Sequence, residues 1–450
     1  GSDPPEAKYY KRINMIRKLG NFEMAQAMSN EHYSFNAVVI LRIAGGPGEK
    51  TLRLLLDYLQ RRHPLLSAHI FEKKGWYYFQ TEGTPQIPLK TVKRRDENHW
   101  RQIAEEELDT NFDIFTGPLF RLTYLTDPGG KKESELIFTF QHAVIDAASI
   151  GGILNEALSL CAEIESGVSK EKFKKVEPLP FLPSIESFLP PAFKRLRRKW
   201  RLFSFMLRQM GDEFSYRLGT KGSRKAPVHP AAKNKILPME FSKETSAALQ
   251  KLCRKKRVTL TNLLTAAMLM AVHKHIYEGR PLPLRHVNTA DLRPYLVPPL
   301  GVKHVGSYFA MMRYTVGMKE TPQVWELARE LNDIAYPALK RSDKFCTNLL
   351  SYRMMSMIFR TKSFRMGATA LSYTGQILLE KNYGKIEVLD IRAFVSNFVV
   401  GPEYTALVNL FDGKINYNIL YLDADMEQKQ AGVIADEIRA VLKSAAEEKS

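Results

Sequence analysis

An α/β fold in two layered halves is the class this sequence predicts, and three observations predict it. Strand-like and helix-like patterns alternate along the chain. At 450 residues the chain exceeds one ordinary core, which calls for two domains or two similar halves. A proline-rich stretch, with Pro178, Pro180, Pro183, Pro190 and Pro191, separates the patterns as a linker would. The expected organisation is therefore 1–175 as the N-terminal half, 176–235 as a proline-rich and basic crossover, and 236–450 as the C-terminal half. No internal repeat is evident, so similarity of the halves rests on element order.

The run Phe35 to Gly45 is apolar and β-branched, and Gly45-Gly46-Pro47-Gly48 ends it, which predicts a strand and turn. Leu52, Leu55, Leu56 and Leu59 then form one helical stripe, stopped by Pro64. LLSAHIFEKKG and WYYFQTEG predict a hairpin turning at Gly75. A helix from about Glu97 to Leu108 follows, then the strands LFRLTYLT and ELIFTFQH joined by DPGGKK. The next helix runs from Ala147 to Ile164 and is closed by Gly167.

In the second half, SKETSAALQKLCRKK has amphipathic spacing, whereas LTNLLTAAMLMAVHKHIYEG is apolar nearly all round and predicts a buried helix. Strands are expected around Arg285 to Thr289 and Met311 to Val316, with a helix from Thr321 to Leu339. A hairpin at Asp412-Gly413 and a helix from Glu427 to Leu442 close the chain.

Hydrophobic content of 44% and charged content of 25% suit a globular protein. Gly1-Ser2 reads as the remnant of a cleaved tag. No apolar run reaches the roughly 18 residues of a membrane span, and the basic first thirty residues do not read as a secretory signal. A cytoplasmic location is the expectation. Cys161, Cys253 and Cys346 form neither metal-ligand nor redox spacing and read as small buried residues. The net charge of +18 implies an acidic partner: anionic lipid, a phosphate-bearing cofactor, an acidic carrier protein or nucleic acid. Nucleic acid is disfavoured, because zinc spacing, recognition-helix pattern and aromatic RNA-binding signature are all missing.

The chemistry concentrates in QHAVIDAAS. Alternation along Leu136, Phe138, Phe140 and His142 brings His142 to the end of a strand, and a helix starts just after Asp146. A neutral imidazole there can take the proton of an attacking alcohol or amine and return it to a departing thiolate. Ser149 is not in a nucleophile elbow, so no covalent intermediate is called for. Asp146 stands where a helix N-cap belongs.

QHAVIDAASIGGIL resembles the HHxxxDGxSxxxL motif of condensation domains and of the related wax ester synthase/diacylglycerol acyltransferases, alcohol acetyltransferases and polyketide-associated acyltransferases. On that resemblance His142 is the catalytic histidine, Asp146 the structural aspartate and Ser149 the motif serine. Gln141 replaces the first histidine and Ala147 the glycine. LQRRHPLLSAHIFEKKG, TLTNLLTAAMLMAVHKH, NTADLRPYLVPPLGVKHVGSYFA and SYTG (Ser372 to Gly375) resemble further family segments in the same order.

The resemblance implies two chloramphenicol-acetyltransferase-like α/β sandwich halves with the active-site tunnel between them. It implies Arg293 as the partner of Asp146, with Gln141, Ser149, Ser372 and Tyr373 as tunnel or substrate contacts. It implies acyl transfer from a thioester co-substrate, acyl-CoA or an acyl-carrier protein, to a small-molecule or lipid alcohol, without a permanently bound cofactor. The motif equally suits an amine acceptor, and a non-catalytic carrier-protein or lipid-binding homologue would keep the same fold.

One feature lies outside the motif. Phe193, Leu196, Trp200, Phe203, Leu207, Met210 and Phe214 recur at spacings of three and four, with Lys194, Arg195, Arg197, Arg198, Lys199 and Arg201 crowding the first turns. A stripe of this composition more often packs on its own protein, which is the expectation for the crossover. The alternative is contact with an anionic membrane or an acidic partner through Arg195, Arg197, Arg198, Lys199, Trp200 and Arg201.

Overall fold

The computed structural model describes residues 14–448 except 128–132, 168–172, 174–175, 194–195, 221–231, 342 and 362–364. Arg195, and most of the DPGGKK turn, lie outside the described residues.

Two six-stranded sheets carry the molecule. The first has the order β12 (Asn382–Tyr383), β13 (Ile386–Val395), β2 (Asn36–Ala44), β7 (Glu133–Gln141), β6 (Phe120–Thr126), β5 (Leu89–Lys93). The second has the order β10 (Phe309–Met318), β9 (Leu282–Asp291), β11 (Thr369–Gln376), β14 (Tyr404–Phe411), β15 (Lys414–Leu422), β8 (Asn234–Glu240). A small sheet of β1 (Ile16–Lys18), β4 (Trp76–Gln80) and β3 (His69–Lys73) flanks the first.

The predicted hairpins form. β3 and β4 turn at Lys74-Gly75, and β14 and β15 turn at Asp412-Gly413. All four turn residues have positive φ, which Gly75 and Gly413 adopt freely and Asp412 tolerates, whereas Lys74 takes it against the usual preference of a side chain. Helices α2 (Glu49–Arg62) and α4 (Ala147–Glu165) lie on the first sheet. Leu52, Leu55, Leu56 and Leu59 of α2 are fully buried there. Helix α4 is apolar and long enough to cross a membrane by length and composition, a feature the sequence reading did not register. Its buried face, from Ile150 to Cys161, identifies it as a core helix.

In the second half, α6 (Lys243–Lys256), α7 (Leu260–Ile276), α8 (Val324–Lys340) and α10 (Gln428–Glu447) cover the second sheet, and α7 is buried nearly all round. Helix α3 (His99–Asp109) sits at the seam, where Ile103 and Leu108 meet Val38 and Phe394 of the first sheet and Ile236 and Leu420 of the second.

Three differences from the sequence expectations matter. The division at residue 236 does not separate the sheets, because β12 and β13 cross back to complete the first one. β13 pairs antiparallel with β2 from Glu387↔Ala44 to Val395↔Ala37. Two helices, α1 (Asn21–Ser29) and α9 (Asp343–Thr361), were not anticipated; their apolar residues show weak periodicity. Finally, the crossover helix α5 (Leu196–Gly219) turns its apolar stripe outward. Trp200 is 72% exposed and Phe214 67%, whereas Phe193, ahead of the helix, is buried. The expectation that the stripe packs on the protein is therefore corrected. The inward face is held by Phe205 and by Asp212 and Glu213, whose carboxylates pair with the buried Arg285 at 3.3 and 2.7 Å.

The three cysteines are buried and free. Burial pushes their thiols up, Cys161 and Cys253 to about 12 and Cys346 to about 11, which keeps them protonated and inert.

Candidate active site

Strand β7 ends at Gln141, paired to Asn36, and the chain breaks into a short 3-10 turn over His142–Val144 before α4 begins. That break holds His142 at the rim of the sheet. Its imidazole is half-buried between two rings: Phe35 stacks at 5.3 Å between centroids and Phe309 lies at 5.0 Å. Phe35 comes from the segment leading into β2 and Phe309 from the start of β10, so the two halves face each other across the ring.

The tautomer follows from one contact. Nδ1 of His142 lies 2.8 Å from the Ile145 carbonyl oxygen, which can only accept, so Nδ1 carries the proton. Nε2 is then the basic nitrogen, and no side chain among the described residues hydrogen-bonds it. Burial lowers the imidazole pKa below its ordinary 6.5, against the opposing pull of the Ile145 carbonyl and the Asp146 charge. The ring is consequently neutral at pH 7.

Asp146 does not touch that ring. Its Oδ1 accepts from Ser149 N at 2.9 Å, which caps α4. Its Oδ2 accepts from Tyr308 N at 2.8 Å. The Arg293 guanidinium straddles the carboxylate, Nη1 to Oδ2 at 2.7 Å and Nη2 to Oδ1 at 2.9 Å. Arg293 also donates to Ser149 Oγ at 2.7 Å and lies over the Tyr308 ring. Asp146, Ser149 and Arg293 are all almost completely buried. Together they bolt the start of α4 to the far half of the molecule, immediately behind His142.

The structure turns two of the expected substrate contacts, Gln141 and Ser149, away from solvent. Gln141 is fully buried, its Oε1 accepting from Ala143 N at 2.6 Å and its Nε2 donating to the Gln26 carbonyl at 3.1 Å. It shapes the histidine turn from behind. Ser149 is likewise buried, and its hydroxyl is spent on Arg293 and on the Gly306 amide at 3.2 Å. Tyr373 packs against the core of the second half, because its position on β11 alternates with that of Ser372. Tyr373 and Ser372 are both half-buried, and Ser372 bonds Thr289 at 2.9 Å. Ala147 occupies the first helical position of α4 and is exposed, so its methyl group does not crowd the turn.

Sequence reasoning missed Phe35 and Phe309 as the walls of the imidazole: Phe35 reaches it from the neighbouring strand's approach and Phe309 across the seam, and no local spacing marks either. Gly306 had a legible signal as the glycine trailing Arg293-Pro294. A Cβ there would stand 2.4 Å from the Tyr308 ring, so the close approach requires glycine.

The condensation-domain family model matches residues 23–278, more than half of the chain. The chain belongs to the condensation-domain family. A second family model, described as the phthiocerol/phthiodiolone dimycocerosyl transferase C-terminus, matches residues 233–363. The protein is thus of the acyltransferase type.

No curated protein sequence matches it. Solved structures do, at low identity. Polyketide synthase associated protein 5 from Mycobacterium tuberculosis is 16% identical, with TM-score 0.70, 96% of this chain and 98% of that one covered. The trichothecene 15-O-acetyltransferase of Fusarium sporotrichioides is 10% identical, with TM-score 0.75 and 96% of each chain covered. The first condensation domain of the CDA synthetase is 12% identical, with TM-score 0.69 and 97% of each covered. These likenesses establish the two-halved condensation-domain fold.

Proposed function

We propose that the protein transfers an acyl group from a thioester, acyl-CoA or an acyl-carrier protein, to a hydroxyl acceptor, with Nε2 of His142 as general base. The observation that carries the reading is the Nδ1–H···O=C contact to Ile145, which leaves Nε2 unprotonated on a ring kept neutral by burial. The acceptor hydroxyl gives its proton to Nε2 as its oxygen attacks the thioester carbonyl carbon. The tetrahedral adduct then collapses, the C–S bond breaks, and the thiolate takes the proton back from Nε2. Imidazole and protein end unchanged, so no cofactor is consumed. One structural relative is by its name an O-acetyltransferase, which supports an oxygen acceptor.

Asp146 and Arg293 are positioning residues in this scheme: their contacts hold the loop and do not reach the imidazole. The test is thiol release from a panel of acyl-CoAs with alcohol and amine acceptors. His142→Ala should lower turnover by about 10²–10⁴-fold with an unchanged circular dichroism spectrum. Full turnover in that variant overturns the histidine mechanism, and turnover with amines alone overturns the hydroxyl acceptor.

A further inference from the structure

Helix α5 is built the wrong way round for a helix that serves only its own protein. Asp212 and Glu213 face inward to Arg285, and Gln209 receives a 3.0 Å hydrogen bond from Arg313. Trp200, Phe203, Met206, Leu207, Met210, Phe214 and Leu218 face out, between 48% and 72% exposed. The helix has 24 residues, about 36 Å at about 1.5 Å per residue, and the apolar stripe runs nearly its full length. An exposed patch of this size marks a contact surface.

Cations border it. At 100° per residue, Arg197, Arg208 and Arg201 fall on one flank of the stripe, and Lys199 and Arg217 lie within its opposite edge, between Met206 and Met210. Arg208 is anchored by Asp343 at 2.7 Å and Arg217 by Glu213, while Arg197 and Lys199 are exposed. A convex aromatic and aliphatic ridge with cations on both sides matches a bilayer interface, where tails meet the ridge and anionic headgroups meet the flanks.

A second observation lies beneath. Phe205, Met311, Met354, Met355 and Ile358 line a cavity of about 260 Å³ under α5 that reaches Phe22. Phe22 meets Phe309 edge-on at 4.8 Å, and Phe309 is one wall of His142. The inward face of α5 therefore roofs a cavity of mixed lining, apolar with Arg208, Asp212, Arg313 and Asp343 at its rim, and its Phe22 wall touches the Phe309 ring that flanks His142.

We propose that the outer face of α5 docks the protein on an anionic phospholipid surface. Docking rests on this face alone and is read without catalysis, so its failure leaves the acyl-transfer reading untouched. The experiment is sedimentation of the full chain with phosphatidylcholine vesicles, with and without phosphatidylglycerol. Binding should require phosphatidylglycerol and weaken as salt rises. The joint variant Trp200→Ser, Phe203→Ser, Met210→Ser and Phe214→Ser should lose binding about tenfold or more. Arg197→Glu with Lys199→Glu should weaken binding to the phosphatidylglycerol vesicles severalfold and flatten its salt dependence. Because all six side chains are exposed, melting temperatures should stay at the parent value. Three results overturn the proposal: no vesicle binding, undiminished binding by the serine variant, or a dimer of the parent chain that the serine substitutions dissociate.

Discussion

At the scale of the residue, the protein spends its histidine in a specific protonation state. A half-buried imidazole with Nδ1–H held by the Ile145 carbonyl must be neutral to act as a base. Its pKa is lowered, so the active form persists to a pH below 6.5 and is lost only in acid. The rate constant kcat/KM should therefore rise with pH through a midpoint below 6.5 and be flat at neutral pH. A midpoint above 6.5, or an acid limb that survives in the residual activity of His142→Ala, would sink this assignment. Folding must be followed in parallel, because His286 is also buried neutral, with its pKa pushed down to about 3. For His286 the unfolded chain binds the proton first, so its contribution to stability is full above about pH 6.5 and falls as pH drops toward 3, by about 1.4 kcal/mol per pH unit. Identity at this scale was readable in part. QHAVIDAAS located His142 and Asp146, yet the roles of Gln141 and Ser149 depend on which way a short side chain turns at a strand end, and both turn inward.

At the scale of the element, the question is what keeps a 3-10 turn in place at the mouth between two halves. The answer is the Asp146 carboxylate, which collects the α4 cap, the Tyr308 amide and both arms of Arg293. Arg293→Ala would leave a carboxylate buried without its counter-charge, a loss of about 3–5 kcal/mol. Lysine at 293 keeps the charge but cannot span both oxygens, so it should recover only part of that loss. Urea denaturation of the parent and both variants decides the matter: a change of about 0.5 kcal/mol or less in Arg293→Ala would show that the network is dispensable. The pair spans 147 residues of sequence, so no local pattern joins Arg293 to Asp146, and in the sequence only the family resemblance does. Helix α5 teaches the converse. Its spacing of three and four announced an amphipathic helix correctly, but periodicity states that a helix has two faces, not which one meets the protein.

At the scale of the molecule, the two halves are interlocked, and the reason was invisible locally. The turns at Gly75 and Gly413 are written in adjacent residues, so they were legible. The pairing of β13 with β2 joins residues more than 340 positions apart, and nothing in IEVLDIRAFV specifies a partner. Its consequence is testable. Without β13, the strand β2 would expose a full edge of unpaired amides and carbonyls along Ala37 to Ala44, beside buried Val38, Val39, Ile40 and Leu41. Such an edge invites aggregation. The seam would open too, since Ile236 and Leu420 of the second sheet complete the cluster around Ile103 and Leu108. A fragment ending at residue 232 should accordingly aggregate or stay unfolded by size-exclusion chromatography and circular dichroism. Expressing residues 233–450 in the same cells should restore a soluble complex, because the missing strand then arrives in trans. The intact chain should unfold in one transition, with intrinsic fluorescence and circular dichroism coinciding. A soluble, folded N-terminal fragment on its own would mean that β13 decorates the first sheet without completing it.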